Sequence, residues 1–308
     1  MLSSVCPDWA GRVGRVSEAY EGEEMVRDLL GTGCFTVVLL LVAGLLGCGT
    51  KSLRSDETQK VGAAGLWDGP RAEVSGTFSI VAVDPNSGVC GAAVASKYPA
   101  VGKVVPYVRA GVGAFCTQHW HNPPWGERAL DLLAKGYLPE QVLAELLKDD
   151  SQRDKRQLAI IDMRGRAANR NPANADPSGI WWGAAAGRYY ACQGNTLVGP
   201  DVIFAMAKAY EQTEGSLADR LMAALIAGDC AGGDHRGRLA AGIRVAKAGV
   251  EGCWLELYVD KSDDAVADLA KKYAALDHEA KGAWPGARLP FKNPCPPQSK
   301  PDHNSPGK

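Results

Sequence analysis

No two of the nine cysteines stand in a CxxC spacing, which excludes a structural zinc site of that type. Runs of Lys and Arg are also missing, and a net charge of -1 leaves no electrostatic case for nucleic acid. No apolar run is long enough to cross a bilayer as a mature helix. The longest, residues 35–47, has 13 residues where a span takes about 20. What is present is an ordinary globular balance, 46% hydrophobic and 22% charged over 308 residues, enough for one core with tails to spare.

Residues 35–47 have instead the shape of a signal-peptide core. They end in Leu45-Leu46-Gly47-Cys48, which resembles a bacterial lipobox; the Cys48 thiol would take a diacylglyceryl group and become the mature N-terminus. Gly49 follows, not the Asp of the retention signal. The charged stretch 51–57 comes immediately after, and nothing amphipathic continues the run, which weakens the reading as a buried core helix. The first 24 residues are rich in Glu and unlike a signal n-region, so translation is expected to start at Met25, with Arg27 as a thin positive region offset by Asp28. The expected organisation is an extension at 1–24, a signal peptide at 25–47, a small, polar tether at 48–76, one domain at 77–283 and a disordered Pro- and Lys-rich tail at 284–308. The expected location is the cell envelope, lipid-anchored to the membrane through Cys48, at the outer membrane or periplasmic face in a Gram-negative cell. Six cysteines, Cys90, Cys116, Cys192, Cys230, Cys253 and Cys295, would then remain, and they could form disulfides or stay as buried thiols.

Thr77 stands directly behind Gly76 and opens two short strands joined by the turn Asp84-Pro85-Asn86-Ser87-Gly88. If the chain were cut before it, Thr77 would carry a free α-amine beside its own hydroxyl. An amine of pKa about 7.7 to 8.0 is a usable base near neutrality, so one residue would supply nucleophile and base. A β-branched residue that merely starts a strand is the plainer reading of the same spacing. Further strands are expected at 104–108, 113–117, 157–162, after Gly165, and at 189–192, 239–246 and 254–260. Helices are expected at 127–135 with Gly136 as its stop, from Pro139, at 201–210, at 217–227 between a Ser216 cap and Gly228, and at 264–276. That order fits helices flanking two stacked sheets.

Five ordered motifs carry a resemblance: the segments 77–82, 94–102 and 110–114, then Cys192-Gln193-Gly194-Asn195, and Gly232-Gly233-Asp234-His235-Arg236-Gly237. Together, over about residues 77–276, they resemble the DUF1028 family, an uncharacterised branch grouped with the Ntn-hydrolase superfamily. The resemblance implies an α+β fold, a four-layer αββα sandwich of two stacked antiparallel sheets flanked by helices, and no established substrate. In typical members the Thr follows the initiator Met, whereas here 76 residues precede it.

Acyl transfer by an activated hydroxyl needs a nucleophile, a group that keeps it reactive and donors for the oxyanion. Lys97, just past the second hairpin strand, is the candidate activator of Thr77, with Ser96 as a proton relay and Lys103 as the alternative cation. Gln193 and Asn195 lie in an expected turn after a strand, where the Asn195 amide could donate to an oxyanion. Asp234 and Arg236, in the Gly-rich loop, could orient each other or bind a substrate carboxylate. Gln118 and Asn122 belong to a polar, aromatic stretch suited to a cleft rim. His119 and His121 would face one side if that stretch were a strand, with Asp234 or His235 as third metal ligand, but two ligands do not make a site.

The expected function is an exported Ntn-type hydrolase that cleaves an amide bond in a small-molecule or cell-envelope substrate, with no cofactor. The alternatives are a non-catalytic envelope-binding lipoprotein of the same fold and a metal-assisted hydrolase using His119 and His121. A homo-oligomer is compatible with all three.

Overall fold

The structure, a computed structural model, describes residues 76–172 and 181–276. The expected extension, signal peptide, Cys48 anchor, tether up to residue 75 and tail all lie outside the described residues.

Strands β1 (Thr77–Asp84) and β2 (Val89–Ser96) form the expected antiparallel hairpin. Asp84 shapes its turn, accepting from the Asn86 N–H at 3.0 Å and the Ser87 hydroxyl at 2.6 Å. With Asp84 opposite Val89, antiparallel counting brings Thr77 opposite Ser96. Helix α1 (Val101–Val104) follows, then β3 (Pro106–Arg109) and β4 (Gly113–His119). Next come α2 (Trp125–Ala134), α3 (Pro139–Leu147), β5 (Arg156–Asp162) and β6 (Ala167–Arg170). The order closes with β7 (Trp181–Gly187), β8 (Tyr190–Leu197), α4 (Asp201–Gln212), α5 (Leu217–Cys230), β9 (Ala240–Lys247), β10 (Leu255–Val259) and α6 (Ala265–Ala274).

Two antiparallel sheets result, six strands in the order β10-β9-β2-β1-β8-β7 and four in the order β3-β4-β5-β6. Strand alternation sorts the side chains into three apolar layers. Phe78, Ile80 and Ala82 of β1 join Met206, Leu221, Leu225 and Leu269 of α4, α5 and α6. Phe115, Leu158 and Ile160 of the smaller sheet join Leu130, Leu133, Val142 and Leu146 of α2 and α3. Between the sheets lie Val81, Val83, Ala92, Val94, Ala114, Cys116, Ala159 and Ile161. The layering is helix, sheet, sheet, helix, as the resemblance implied. Every one of these cores falls within residues 78–273, so a chain starting at Thr77 keeps all of them.

Several local expectations are corrected. Gln193 and Asn195 do not sit in a turn: β8 runs on to Leu197 because both its edges find partners, β1 and β7. Gly228 does not stop α5, which continues to Cys230; a Cβ there would meet Met206, so the glycine lets α4 and α5 approach. Residues 101–104 are helical where a strand was expected from 104, and β7 had no expected counterpart. The Ser216 cap stands as read, its hydroxyl accepting from the Asp219 N–H at 3.2 Å while Asp219 returns a bond to the Ser216 N–H. Cys90, Cys116, Cys192 and Cys253 are free thiols, and Cys230 is disulfide-bonded. Burial pushes the Cys90 thiol up to about 11 and Cys116 to about 12, so both are protonated and inert at neutral pH. Among the described residues no helix is long and apolar enough to cross a membrane.

Candidate active site

The layer between the sheets is apolar at one end and polar at the other. The same strand faces build both ends. On β1, Thr77 and Ser79 are in phase with Val81 and Val83; on β5, Gln157 is in phase with Ala159 and Ile161; on β2, Ser96 is in phase with Ala92 and Val94. Thr77 is opposite Ser96 on one side and Asn195 on the other, so antiparallel pairing brings the end of β2 and the end of β8 to the start of the central strand.

Around the Gly76–Thr77 peptide the hydrogen bonds form a line. The Thr77 hydroxyl donates to Ser96 Oγ at 3.1 Å, and the Ser96 hydroxyl donates to the Gly76 carbonyl at 2.5 Å. Ser96 Oγ also accepts from the Tyr98 N–H at 3.2 Å. On the other side the Gly76 N–H donates to Asn195 Oδ1. Gly76 and Thr77 are both buried, Thr77 fully.

Neutral amides fix the orientation of this frame. The Gln157 amide nitrogen donates to the Gly194 carbonyl at 2.8 Å, an atom that can only accept, so Gln157 Oε1 must face the other way. That oxygen accepts from Asn195 Nδ2 at 2.8 Å and from Gln118 Nε2 at 2.7 Å. Asn195 is thereby left presenting Oδ1 to Gly76. Gln118 Nε2 also reaches the Thr77 carbonyl at 3.2 Å, and its Oε1 accepts from the Ser79 hydroxyl at 2.7 Å. Gln193 is buried beside them, 3.5 Å from Ser79 Oγ, with no hydrogen-bond partner for its Oε1.

The Gly-rich loop covers the junction. Gly232, Gly233 and Gly237 all have positive φ, which lets the loop fold back on the end of β8, where the His235 N–H reaches the Thr196 carbonyl at 3.1 Å and, just past the strand, the Val198 N–H reaches the Gly233 carbonyl at 3.2 Å. The loop sets Arg236 in a fork on the buried Asp234, with Nε to Oδ1 and Nη2 to Oδ2 both at 3.0 Å, and Nη2 also reaches Thr196 Oγ1 at 3.3 Å. This pair occupies the space where a side chain on Gly76 would stand.

The candidates Thr77, Ser96, Asn195, Gln118, Gln193, Asp234 and Arg236 thus converge. Lys97 follows Ser96, its ammonium over the Tyr98 ring at 5.5 Å from the centroid, and the Arg236 guanidinium packs on the Gly76–Thr77 junction. Lys103 pairs with Asp260 at 2.5 Å. Asn122 lies in the loop before α2, its N–H donating to Thr117 Oγ1 at 3.3 Å. The strand reading behind His119 and His121 fails, because β4 ends at His119, whose φ of 64° turns the chain. The His119 ring meets Trp182 edge-on at 4.5 Å, and burial with the nearby Arg156 pushes His121 below its ordinary value. Among the described residues no group of three His, Cys, Asp or Glu is placed to hold a metal. Ser79, Gln157 and Thr196 were not foreseen; the first two could have been found as polar residues in phase with a buried apolar face.

The model of the DUF1028 family, a family of unknown function, matches residues 77–269, beginning at Thr77. The crystal structure of protein SPO2555 from Silicibacter pomeroyi, which carries the same family model, is similar at 31% sequence identity and a TM-score of 0.60. The similarity covers 67% of this chain and 89% of that one. None of the curated proteins matches this chain.

Proposed function

The chain belongs to the DUF1028 family, and from that premise we propose that it is an Ntn-type amide hydrolase whose nucleophile, Thr77, is freed by its own attack on the Gly76 carbonyl. The observation that carries this reading is the line from Thr77 Oγ1 through Ser96 Oγ to the Gly76 carbonyl oxygen. In the first step Thr77 Oγ bonds to the carbonyl carbon, its proton passing to Ser96 as the Ser96 proton passes to the developing oxyanion. The carbon–nitrogen bond then breaks, the nitrogen takes up a proton, and an ester joins Gly76 to Thr77 Oγ. Water hydrolyses the ester, leaving a Gly76 carboxylate and a Thr77 that holds both a hydroxyl and an α-amine. The same amine then takes the Thr77 proton when the hydroxyl attacks a substrate amide, and returns it to the leaving nitrogen.

The stretch 35–47 with Cys48 supports export and a lipid anchor, so the substrate belongs to the cell envelope or reaches it as a small molecule. Cleavage after Gly76 would separate the domain from Cys48, so anchoring and activation oppose each other. Full burial of Thr77 in the unbroken chain favours a second reading, a non-catalytic envelope-binding lipoprotein. Intact mass of the purified full chain separates the two. The hydrolase reading expects the fragment beginning at Thr77 in the wild type and its loss in Thr77→Ala and Ser96→Ala. An unbroken wild-type chain, together with inertness of a chain begun at Thr77 across amide substrates, leaves the binding module. Detergent-phase partition that disappears in Cys48→Ser tests the anchor.

A further inference from the structure

The ester of self-cleavage and the acyl-enzyme formed from a substrate are the same bond, Thr77 Oγ to an acyl carbon. Whatever encloses Gly76 therefore encloses the acyl-side residue of a substrate. That enclosure is specific in three ways. Asn195 Oδ1, held in orientation by Gln157, accepts the residue's N–H. Ser96 donates to its carbonyl at 2.5 Å. Its φ of 94° is one that L side chains rarely adopt, and the position of an L-Cβ is taken by the Arg236 guanidinium and by Asp234 Oδ2. Arg236 cannot swing aside at small cost, because its fork neutralises a carboxylate that is 1% exposed.

We infer that the acyl subsite selects glycine: the substrates are N-acylglycyl or peptidyl-glycyl amides, with an N–H on the acyl residue and no L side chain there. The inference rests on the hydrolase reading of Thr77 and extends it to substrate class. The subsite is built before any substrate arrives, since its walls are the groups that already hold Gly76.

The test uses a chain that begins at Thr77 and runs to Lys308, which retains every core cluster, with two independent readouts. Binding of N-acetylglycine and of N-acetyl-L-alanine is compared by protein-observed NMR titration, and hydrolysis of the two corresponding 4-nitroanilides by absorbance. Crowding from one added methyl in a filled site predicts that the glycyl compound binds at least about tenfold more tightly and is cleaved with at least about tenfold higher kcat/KM. The paired variant Asp234→Asn with Arg236→Ala removes both charges together and should bring the alanyl compound to within about threefold of the glycyl one. Equal binding of the two compounds to the wild type, or binding of neither, overturns the glycine subsite. Selective binding of N-acetylglycine without hydrolysis of any anilide sustains the subsite and overturns the hydrolase reading.

Discussion

Val81, Val83 and Ile161 fill one end of the space between the sheets, and Thr77, Ser79 and Gln157 fill the other, although both sets ride the same faces of β1 and β5. The apolar end is non-directional: its side chains stabilise the sandwich by leaving water, roughly 1.5–3 kcal/mol for a fully buried Val or Ile, and an isosteric exchange would be tolerated. The polar end is directional. The Gln118, Gln157 and Asn195 amides there each have one orientation because their chain of hydrogen bonds ends on the backbone carbonyls of Thr77 and Gly194, which accept and never donate. Stability is concentrated at one end and geometric definition at the other, and mutations should separate the two.

The largest effect belongs at the polar end. In a chain begun at residue 77, Thr77→Ala should lower amide hydrolysis by roughly 10⁴ to 10⁶ while shifting the unfolding free energy by no more than about 1 kcal/mol. Parity with the parent would show that the hydroxyl is not the nucleophile. At the apolar end the pattern should invert. Ile161→Ala should cost about 2–5 kcal/mol in urea denaturation, yet leave cleavage at Gly76–Thr77 in place under conditions where the variant is folded. A loss below about 1 kcal/mol would mean that this end is not a packed core.

Gln157→Leu lies between these extremes. It deprives the Asn195 and Gln118 amides of their shared acceptor, with an expected loss of about 1–3 kcal/mol because buried donors are left unmet. Asn195 is then free to rotate, so cleavage after Gly76 should slow by more than the stability change explains; unchanged cleavage would show that Gln157 does not orient Asn195.

The smallest effect concerns the rim of the polar end, where Arg156 holds the Trp120 carbonyl and forks onto Asp150 at 2.8 and 3.0 Å. Those hydrogen bonds hold the Asp150 carboxyl below its ordinary value. A depressed carboxylate contributes stability above its unfolded value, near 3.9, and loses it as pH falls through the lower folded value. The gap in unfolding free energy between wild type and Asp150→Asn should therefore be constant above about pH 5 and should close at lower pH. A gap that widens on acidification would contradict the sign.

Much of this was legible beforehand where the controlling interactions are short in range. The turn at residues 84–88 set the hairpin register and with it the Thr77–Ser96 contact, because a turn of given length leaves the strands one pairing. Ser216 announced α5, since a cap satisfies donors only three residues away. Gly228 misled for the complementary reason: its role is set by Met206 on another helix, not by its own neighbours. Asn195 was read as a turn residue because Gly194 precedes it, whereas pairing on both edges of β8 held the segment extended.

The sequence by itself determined the alternation of each strand, the hairpin, the caps and the placing of a Thr behind a Gly, since periodicity and turn chemistry act within a few residues. Only the tertiary structure decided that Asn195 would lie beside Thr77, that Gln118 and Gln157 would meet across the sheets, and that Arg236 would stand against Gly76. Those contacts depend on the lateral order of strands and the stacking of two sheets. Both are chosen by burial of the whole apolar surface at once, a quantity that no local stretch of chain encodes.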